Sequence, residues 1–581
     1  MPALLIACTS GTGDDSDGSD STGTSSGGGG QGSTSSAPTT SNGGNDTGGG
    51  DGGAEEGGGA TGGAPGCNEP DSTDGEYGVP TSTFDLPPSS GGDLYYPDIQ
   101  ASFPAVDWGT LDRLYIPAGN YRLMKLGNLP VRSKDKPLVI TNKGGQVKFD
   151  TDYVYTVSLN GGANWVFTGK YDPISMTGDA AFPGHKGNAY DTSEGRYGFE
   201  LDGGFFQGSG PLLGVSDRAT DFELSYIEIL RSQFSGITAK THDDPTATMK
   251  NVKMHDLYIH DTESEGFYIG DTGTAEQQHL IVNLELYNNR VVRTGTEAFQ
   301  LGHIGPGCNI HHNVFYVGAM DWLHPFQPNY QNNNTQLTVR YGNSAVHHNL
   351  FIGGASTVMI MMGMNVAADQ DNPDYHPGDV VDVHDNLFSS TKNMGAYIDP
   401  RNNVGTDYHL RNNLFGNAVF TYDYGYPAET EPSFLVVHAN APSNAVHIVD
   451  NVYGSTQPFI DPVGALNGNE GAVTASGNTN GTVTLPTFMD LGALEGIDPS
   501  RISRWFATFG PGPREGEPLV YYPGDVVRTD DLELYLCLEE NDGEEPSAHP
   551  ESWMSLGRAK DDFRQACDAP TAAMGLIQHA P

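Results

Sequence analysis

Ile310-His311-His312-Asn313-Val314-Phe315 returns as Val346-His347-His348-Asn349-Leu350-Phe351. It returns again as Val383-His384-Asp385-Asn386-Leu387-Phe388, Leu410-Arg411-Asn412-Asn413-Leu414-Phe415 and Ile448-Val449-Asp450-Asn451-Val452-Tyr453. Looser copies precede these at Ile229-Leu230-Arg231-Ser232, Ile259-His260-Asp261-Thr262 and Leu286-Tyr287-Asn288-Asn289. Counted from Asn289, the asparagines lie 24, 36, 37, 27 and 38 residues apart. That spread excludes helical repeats of fixed length. It fits a coil of short strands whose connecting loops vary, each coil burying its apolar positions only when coils stack. Within the motif one apolar residue points inward and the next outward. Asn is expected to take the bend, because it tolerates left-handed backbone angles. Stacked Asn side chains are expected to bond one another up the column.

Working outward, the same texture of short β-rich runs separated by Gly, Asn and Asp starts near Asp107. Leu114–Tyr121 (LYIPAGNY) and Pro137–Ile140 read as early strands, and Arg501–Phe506 (RISRWF) as one short helix. Segments 170–220 and 362–380 read as long loops, and Met359–Met364 as core or loop packing. The repeated coils resemble the right-handed parallel β-helix family of pectate lyases and polygalacturonases, over about residues 107–480. The fold class this implies is all-β, a right-handed parallel β-helix solenoid followed by a small antiparallel β module. Adhesins and phage tailspikes share such coils, so the resemblance alone selects no activity.

Stacking the coils on their repeated apolar residue brings Ser235-Gly236-Ile237, Glu265-Gly266-Phe267 and Glu297-Ala298-Phe299 into register. Asp321 falls near the same column, followed by Ser356 and Asn393. Three carboxylates, Glu265, Glu297 and Asp321, are thus expected on one face, with layers about 4.8 Å apart. Like charges that close raise one pKa, which suits a general acid at neutral pH. Glycoside hydrolysis uses a carboxylate pair, about 5–5.5 Å apart for retention and about 6.5–9.5 Å for inversion. A calcium site is the competing reading, since hard oxygen ligands suit Ca²⁺. A lyase of this fold would add a Lys or Arg base, for which Arg290, Arg293 and Arg340 are available. A solvated acidic stripe without catalysis is the third. His303 and His324 are candidate proton shuttles, and Trp322 and Tyr330 candidate sugar-stacking rings. The hydrolase reading needs no cofactor. The adjacent pairs His311-His312 and His347-His348 are discounted as chelators, since neighbours in a strand face opposite ways.

After Gly510-Pro511-Gly512-Pro513 a different pattern begins: Tyr521-Tyr522-Pro523-Gly524-Asp525-Val526, Leu534-Tyr535-Leu536-Cys537, Pro546 and Trp553-Met554-Ser555-Leu556. It resembles the chitin-binding type-3 module of bacterial chitinases, over residues 519–557. By that resemblance Tyr522, Tyr535 and Trp553 would present rings to a polysaccharide. The family's Trp ahead of the first Tyr is replaced here by Glu517-Pro518-Leu519-Val520. Tyr535 and Trp553 have an alternative role as the core of so small a unit.

At the other end, Leu5-Ile6-Ala7-Cys8 resembles the lipobox of bacterial lipoproteins, which implies lipidation of Cys8. Residues 9–66, rich in Gly, Ser, Thr, Asp and Asn with eight acids and no base, read as a flexible tether. The expected organisation is a signal remnant 1–8, tether 9–66, lead-in 67–106, β-helix 107–510, chitin-binding-like module 514–560 and tail 561–581. Of Cys67, Cys308, Cys537 and Cys567, the pair Cys537 with Cys567 is the first disulfide to test, on proximity in sequence.

Charge narrows the partners. The 581 residues hold 29 Lys+Arg against 73 Asp+Glu, a formal net charge of −44. A nucleic-acid binder needs a basic surface and is excluded. No apolar run is long enough to cross a membrane, so the expected membrane contact is the Cys8 lipid alone. Taken together, these features predict a monomeric protein at the bacterial surface, lipid-anchored to the outer membrane, that hydrolyses glycosidic bonds of an extracellular polysaccharide. A neutral or amino-sugar polymer suits the acidic body. A calcium-dependent polysaccharide lyase and a non-catalytic glycan-binding surface protein are the alternatives.

Overall fold

The computed structural model describes residues 77–150, 155–170, 197–205, 210–242, 244–272, 279–321, 331–364, 375–400, 405–418, 434–437, 445–454, 459–460, 473–502, 504–506, 520–566 and 568–576. Cys8, the expected 9–66 tether, Cys67, Cys567, Trp322, His324 and Tyr330 lie outside the described residues.

Most of the chain is a parallel β-helix. Each strand pairs in parallel with the strand one coil later, so three strand columns wind around one apolar interior. In the first column Leu286, Ile310, Val346, Val383, Leu410 and Ile448 follow one another in register. In the second, Phe315, Phe351, Phe388 and Phe415 stack ring on ring, 5.0–5.2 Å between centroids. These are the apolar positions of the six-residue motif, and both sets are buried.

Between the two columns, Asn289, Asn313, Asn349, Asn386, Asn413, Asn451 and Asn478 form a ladder. Each Nδ2 donates to the next Oδ1 at 2.9–3.1 Å. The left-handed residue is not the ladder Asn but the one before it: Asn288, His312, His348, Asp385, Asn412 and Asp450 all have φ of 53–55°. The ladder Asn instead closes the bend with its amide, as when Asn349 Nδ2 donates to the Ile310 and His347 carbonyls, both at 2.9 Å. The left-handed turn also rotates the histidines. His311 and His312 bring their Nδ1 atoms to 2.9 Å, as do His347 and His348, so the expectation that neighbours must face apart fails at this bend.

The helix begins earlier than expected. Thr83–Asp85 pairs with Arg113–Tyr121, and Leu94–Tyr96 with Met124–Leu126, so the lead-in supplies the first coil. Within 170–220, Phe199–Asp202 and Leu213–Ser216 are coil strands rather than loop. Met359 and Met361 point into the core from strand Thr357–Gly363. Among the described residues, the last rung of the β-helix is Thr479–Asn480.

A second, five-stranded sheet follows. Its order is Phe488–Gly492, Trp553–Gln565, Glu533–Cys537, Asp525–Arg528 and Arg504–Phe506. It crosses the expected boundaries on both sides, starting before 510 and running beyond 560. Residues expected as a helix form a 3₁₀ turn, Pro499–Arg501, and a strand, Arg504–Phe506, parallel to Asp525–Arg528. The sheet packs on the outer side of the second column. There Val314, Tyr316, Leu350 and Leu387 are buried with Leu491, Leu494 and Phe563. That second covered face explains why the motif's Val-Phe-Tyr and Leu-Phe-Ile runs do not alternate with polar residues.

Candidate active site

The third column comprises Ile237–Ala239, Phe267–Ile269, Phe299–Ile304, Asn333–Val339 and Thr357–Gly363. Ile237, Phe267, Phe299 and Leu337 face the core. The alternating outward positions are Thr238, Tyr268, Gln300 and Gln336. Though outward, Thr238, Gln300 and Gln336 are buried, so the chain covers this polar face.

The bends entering these strands carry the predicted carboxylates. Gly236 N donates to the Glu265 carbonyl at 2.9 Å, and Gly266 N to the Glu297 carbonyl at 3.0 Å. Ser235, Glu265 and Glu297 therefore occupy three successive layers. Close packing explains the glycine at 266: a Cβ there would lie 2.2 Å from Val291 Cγ1. Glu265 Oε2 accepts from Ser264 Oγ at 2.6 Å. Glu297 is completely buried, and neither carboxyl oxygen has a hydrogen-bond partner among the described residues. Burial, reinforced by the Glu265 carboxylate, pushes its pKa up to about 8. Glu265, held by a hydroxyl, and the buried Glu297 carboxyl one layer away thus sit in different surroundings.

Asp321 does not extend the column. Gly318–Asp321 lies across the Glu297 bend, with Ala319 N donating to the Thr296 carbonyl (2.7 Å) and Asp321 N to that of Gly295 (3.0 Å). Asp321 thus sits in the next layer but over Gly295. After Glu297, Ala298 N donates to the Asn334 carbonyl at 2.8 Å, and the expected Ser356 and Asn393 immediately precede the paired Thr357 and Met394.

Arg293 and Arg290 are far from this face in role. Arg293 chelates Asp261 and Asp561, and Arg290 donates to the Asp561 carbonyl (2.9 Å) and Tyr197 Oη (2.7 Å). Both are buried under the second sheet, so neither is placed to act as a base on the third column. Arg340 is on that column, buried at the end of Asn333–Val339. Nearby His303 is fully buried with no partner for either ring nitrogen among the described residues. Burial, with Arg340 close, pushes its pKa down to about 3, so it is neutral near pH 7 and cannot supply a proton as imidazolium.

Sequence reasoning missed the polar set beside the pair. Tyr268 Oη donates to Asp271 Oδ1 at 3.1 Å, and the Lys240 ammonium lies 4.3 Å over the Tyr268 ring. Asp271 Oδ2 also meets Lys240 (3.5 Å) and His242 (3.2 Å). The signal for Tyr268 and Gln300 was the alternation in Gly-Phe-Tyr-Ile and Ala-Phe-Gln-Leu; Asp271, just after a strand, carried none. Among the described residues, no three His, Cys, Asp or Glu converge as metal ligands.

In the second sheet, Trp553 is only 2% exposed, stacks edge-on to buried Tyr521 at 5.0 Å and donates its indole N–H to the Glu544 carbonyl at 2.9 Å. It is core, which corrects its assignment as a sugar platform. Tyr535 is half-buried against that core, and Tyr522 is exposed. Cys537 is buried, with Sγ 3.1 Å from the Glu539 carbonyl.

No protein-family model matches the chain, and no curated protein matches it. Solved structures do. GH136 lacto-N-biosidase from Eubacterium ramulus is 9% identical with a TM-score of 0.34, over 64% of this chain and 62% of its own. An exopolygalacturonase from Thermotoga maritima is 11% identical with a TM-score of 0.31, over 66% and 94%. Pectate lyase Pel9A is 10% identical with a TM-score of 0.27, over 74% and 86%. The chain thus spans 62% of the length of the lacto-N-biosidase. The likeness is one of coiled parallel-strand architecture.

Proposed function

We propose that this chain is a carbohydrate-active enzyme that hydrolyses glycosidic bonds of an extracellular polysaccharide, with Glu297 as general acid and Glu265 as its carboxylate partner. The observation that carries this reading is the buried, unpartnered Glu297 carboxyl one layer from Glu265, raised to about pKa 8. A carboxyl that keeps its proton at neutral pH can give it to a leaving oxygen. An ionised carboxylate about one layer, ~4.8 Å, away stands near the separation of a double displacement. In that sequence the Glu265 carboxylate bonds to the anomeric carbon as the glycosidic C–O bond breaks, and the Glu297 proton goes to the departing oxygen. Glu297, now ionised, takes a proton from water, whose oxygen displaces Glu265 and regenerates both groups.

The proposed setting is the bacterial surface, through a lipid on Cys8 and the 9–66 tether, with Tyr522 as the exposed ring of the C-terminal sheet. Purified protein would be assayed on a panel of polysaccharides, reading reducing ends beside absorbance of unsaturated products, with and without chelator. New reducing ends without unsaturation, abolished in Glu297→Gln, are expected. Unsaturated products lost on chelation would replace this reading with the lyase. Silence across the panel with retention on insoluble glycan would replace it with a binding protein.

A further inference from the structure

The second sheet is held on the β-helix by buried charges as well as by apolar packing. Arg293 donates from Nε and Nη2 to Asp261 at 2.9 and 2.8 Å, and from Nη1 and Nη2 to Asp561 at 2.7 and 2.8 Å. Arg528 Nη1 reaches Asp261 at 2.9 Å, and its Nη2 reaches Glu263 at 3.4 Å. Tyr258 Oη donates to Asp561 Oδ2 at 2.6 Å. Arg293 is 3% exposed, Asp261 2%, and Arg528 and Asp561 are fully buried.

Desolvating four such charges costs more than packing apolar side chains of the same volume. Docking alone does not call for them, since an apolar contact already exists around Val314, Tyr316 and Phe563. Their position in the chain is informative. Asp261, left-handed at φ 57°, lies near the end of strand Tyr258–Thr262, just before the bend that passes Glu263 and ends at Glu265; Arg293, at φ 55°, lies near the end of Arg290–Thr294, just before the bend that ends at Glu297. The fork of Arg293 therefore ties one carboxylate-bearing bend to the other, and Asp561 and Arg528 hold that tie from outside.

We propose that the C-terminal sheet is a fixed part of the active site, in which Asp561 and Arg528 are positioning residues that lock the Asp261–Glu265 and Arg293–Glu297 bends against each other. This rests on Glu265 and Glu297 being the catalytic pair. Neither positioning residue touches substrate, so the effect is on kcat rather than on KM.

The test uses the full chain with Asp561→Asn, Arg528→Lys and Lys560→Ala, the last removing an exposed pair with Asp490. Misplacing a catalytic group by about 1 Å costs about 10²-fold. Asp561→Asn is expected to lower kcat by about that factor with KM within about twofold, and to move the alkaline limb of kcat/KM to lower pH as the Glu297 bend loosens to water. Asp561→Glu is expected to recover part of kcat, and Lys560→Ala to match the parent. Arg528→Lys keeps the charge but loses the two-pronged reach, so it carries the test if Asp561→Asn fails to fold. A folded Asp561→Asn or Arg528→Lys with parental kcat and parental limb overturns the inference. If Glu297→Gln retains activity, the catalytic pair itself fails, a different result from a dead Glu297→Gln beside a fully active Asp561→Asn.

Discussion

Glu265 and Glu297 occupy the same position of consecutive coils, tied by the Gly266 N–H donating to the Glu297 carbonyl at 3.0 Å. The two differ in that Glu265 accepts from the Ser264 hydroxyl, whereas burial dominates at Glu297 and raises its pKa. Glu297→Gln is expected to cut kcat by about 10²–10⁴-fold, the range for losing a general acid. It should also gain stability with a definite pH signature. The Glu297 pKa is raised in the folded state, to about 8 from an ordinary 4.5. The protonated carboxyl is compatible with folding below pH 4.5, and stability falls as pH rises through about 8. Thermal midpoints of parent and Glu297→Gln should therefore converge at pH 4 and separate at pH 9, with the variant more stable. Parallel curves across that range would mean that Glu297 ionises normally.

The adjacency of the pair predicts stereochemistry. One layer between carboxylates fits a retaining double displacement, whereas inversion needs room for a water, about 6.5–9.5 Å. Proton NMR of the first product formed should show the anomer of the substrate, and Glu265→Ala should regain turnover with azide as external nucleophile. Initial release of the opposite anomer would require another base and remove Glu265 from the nucleophile's role.

Much of this fold was legible because one rule repeats. Val346, Asn349 and Phe351 recur in spacing and role at Val383, Asn386 and Phe388, and stacking makes each copy predict the next. The pair Glu265 and Glu297 was legible for the same reason, since both precede a Gly/Ala-Phe step. Asp321 was not, because the chain leaves the coil there and a register argument has nothing to count across. Nothing in the sequence marks Arg293, an available base for a lyase, as paired, because its partner Asp561 lies 268 residues away. Trp553 was ambiguous because a core ring and a sugar platform use the same residue; only burial separates them.

Asn349 shows what the ladder contributes. Its Nδ2 donates to Ile310, His347 and Asn386, and its Oδ1 accepts from the backbone N–H and Nδ2 of Asn313. Leu at this position keeps the branched shape but strands several buried polar groups. Asn349→Leu is expected to lose about 3–5 kcal/mol in urea unfolding, far beyond an ordinary surface change. A loss under about 1 kcal/mol would mean that the backbone, not the amide column, holds the bend.

Tyr522 and Trp553 should separate binding from folding in the C-terminal sheet. Trp553→Ala removes the ring packed on Tyr521 and should destabilise the chain by about 3–5 kcal/mol. Tyr522→Ala, at a residue 46% exposed, should leave stability unchanged and weaken retention on an insoluble glycan. Unchanged retention in Tyr522→Ala would leave this sheet with a structural role alone.

The histidine column beside the ladder sets an acid limit. His311, His347 and His384 stack at 5.0–5.1 Å, and His312 stacks on His348 at 5.1 Å. Burial first, and the neighbouring imidazoles second, push His312 and His347 down to about 3, and burial lowers His348. Asp385, paired with His384 at 2.7 Å, opposes this at His347 and His348 without overturning it. The unfolded chain takes up protons from pH 6.5 downward that the folded column resists, so stability present above pH 6.5 is lost as pH falls toward 3. His348 has φ 54°, the conformation held by Asn288 and Asn412 in sister coils. His348→Asn should therefore fit the bend and relieve His347. Thermal midpoints should match the parent near pH 8 and exceed it at pH 5. An equal difference at both pH values would show that the column does not titrate against the fold.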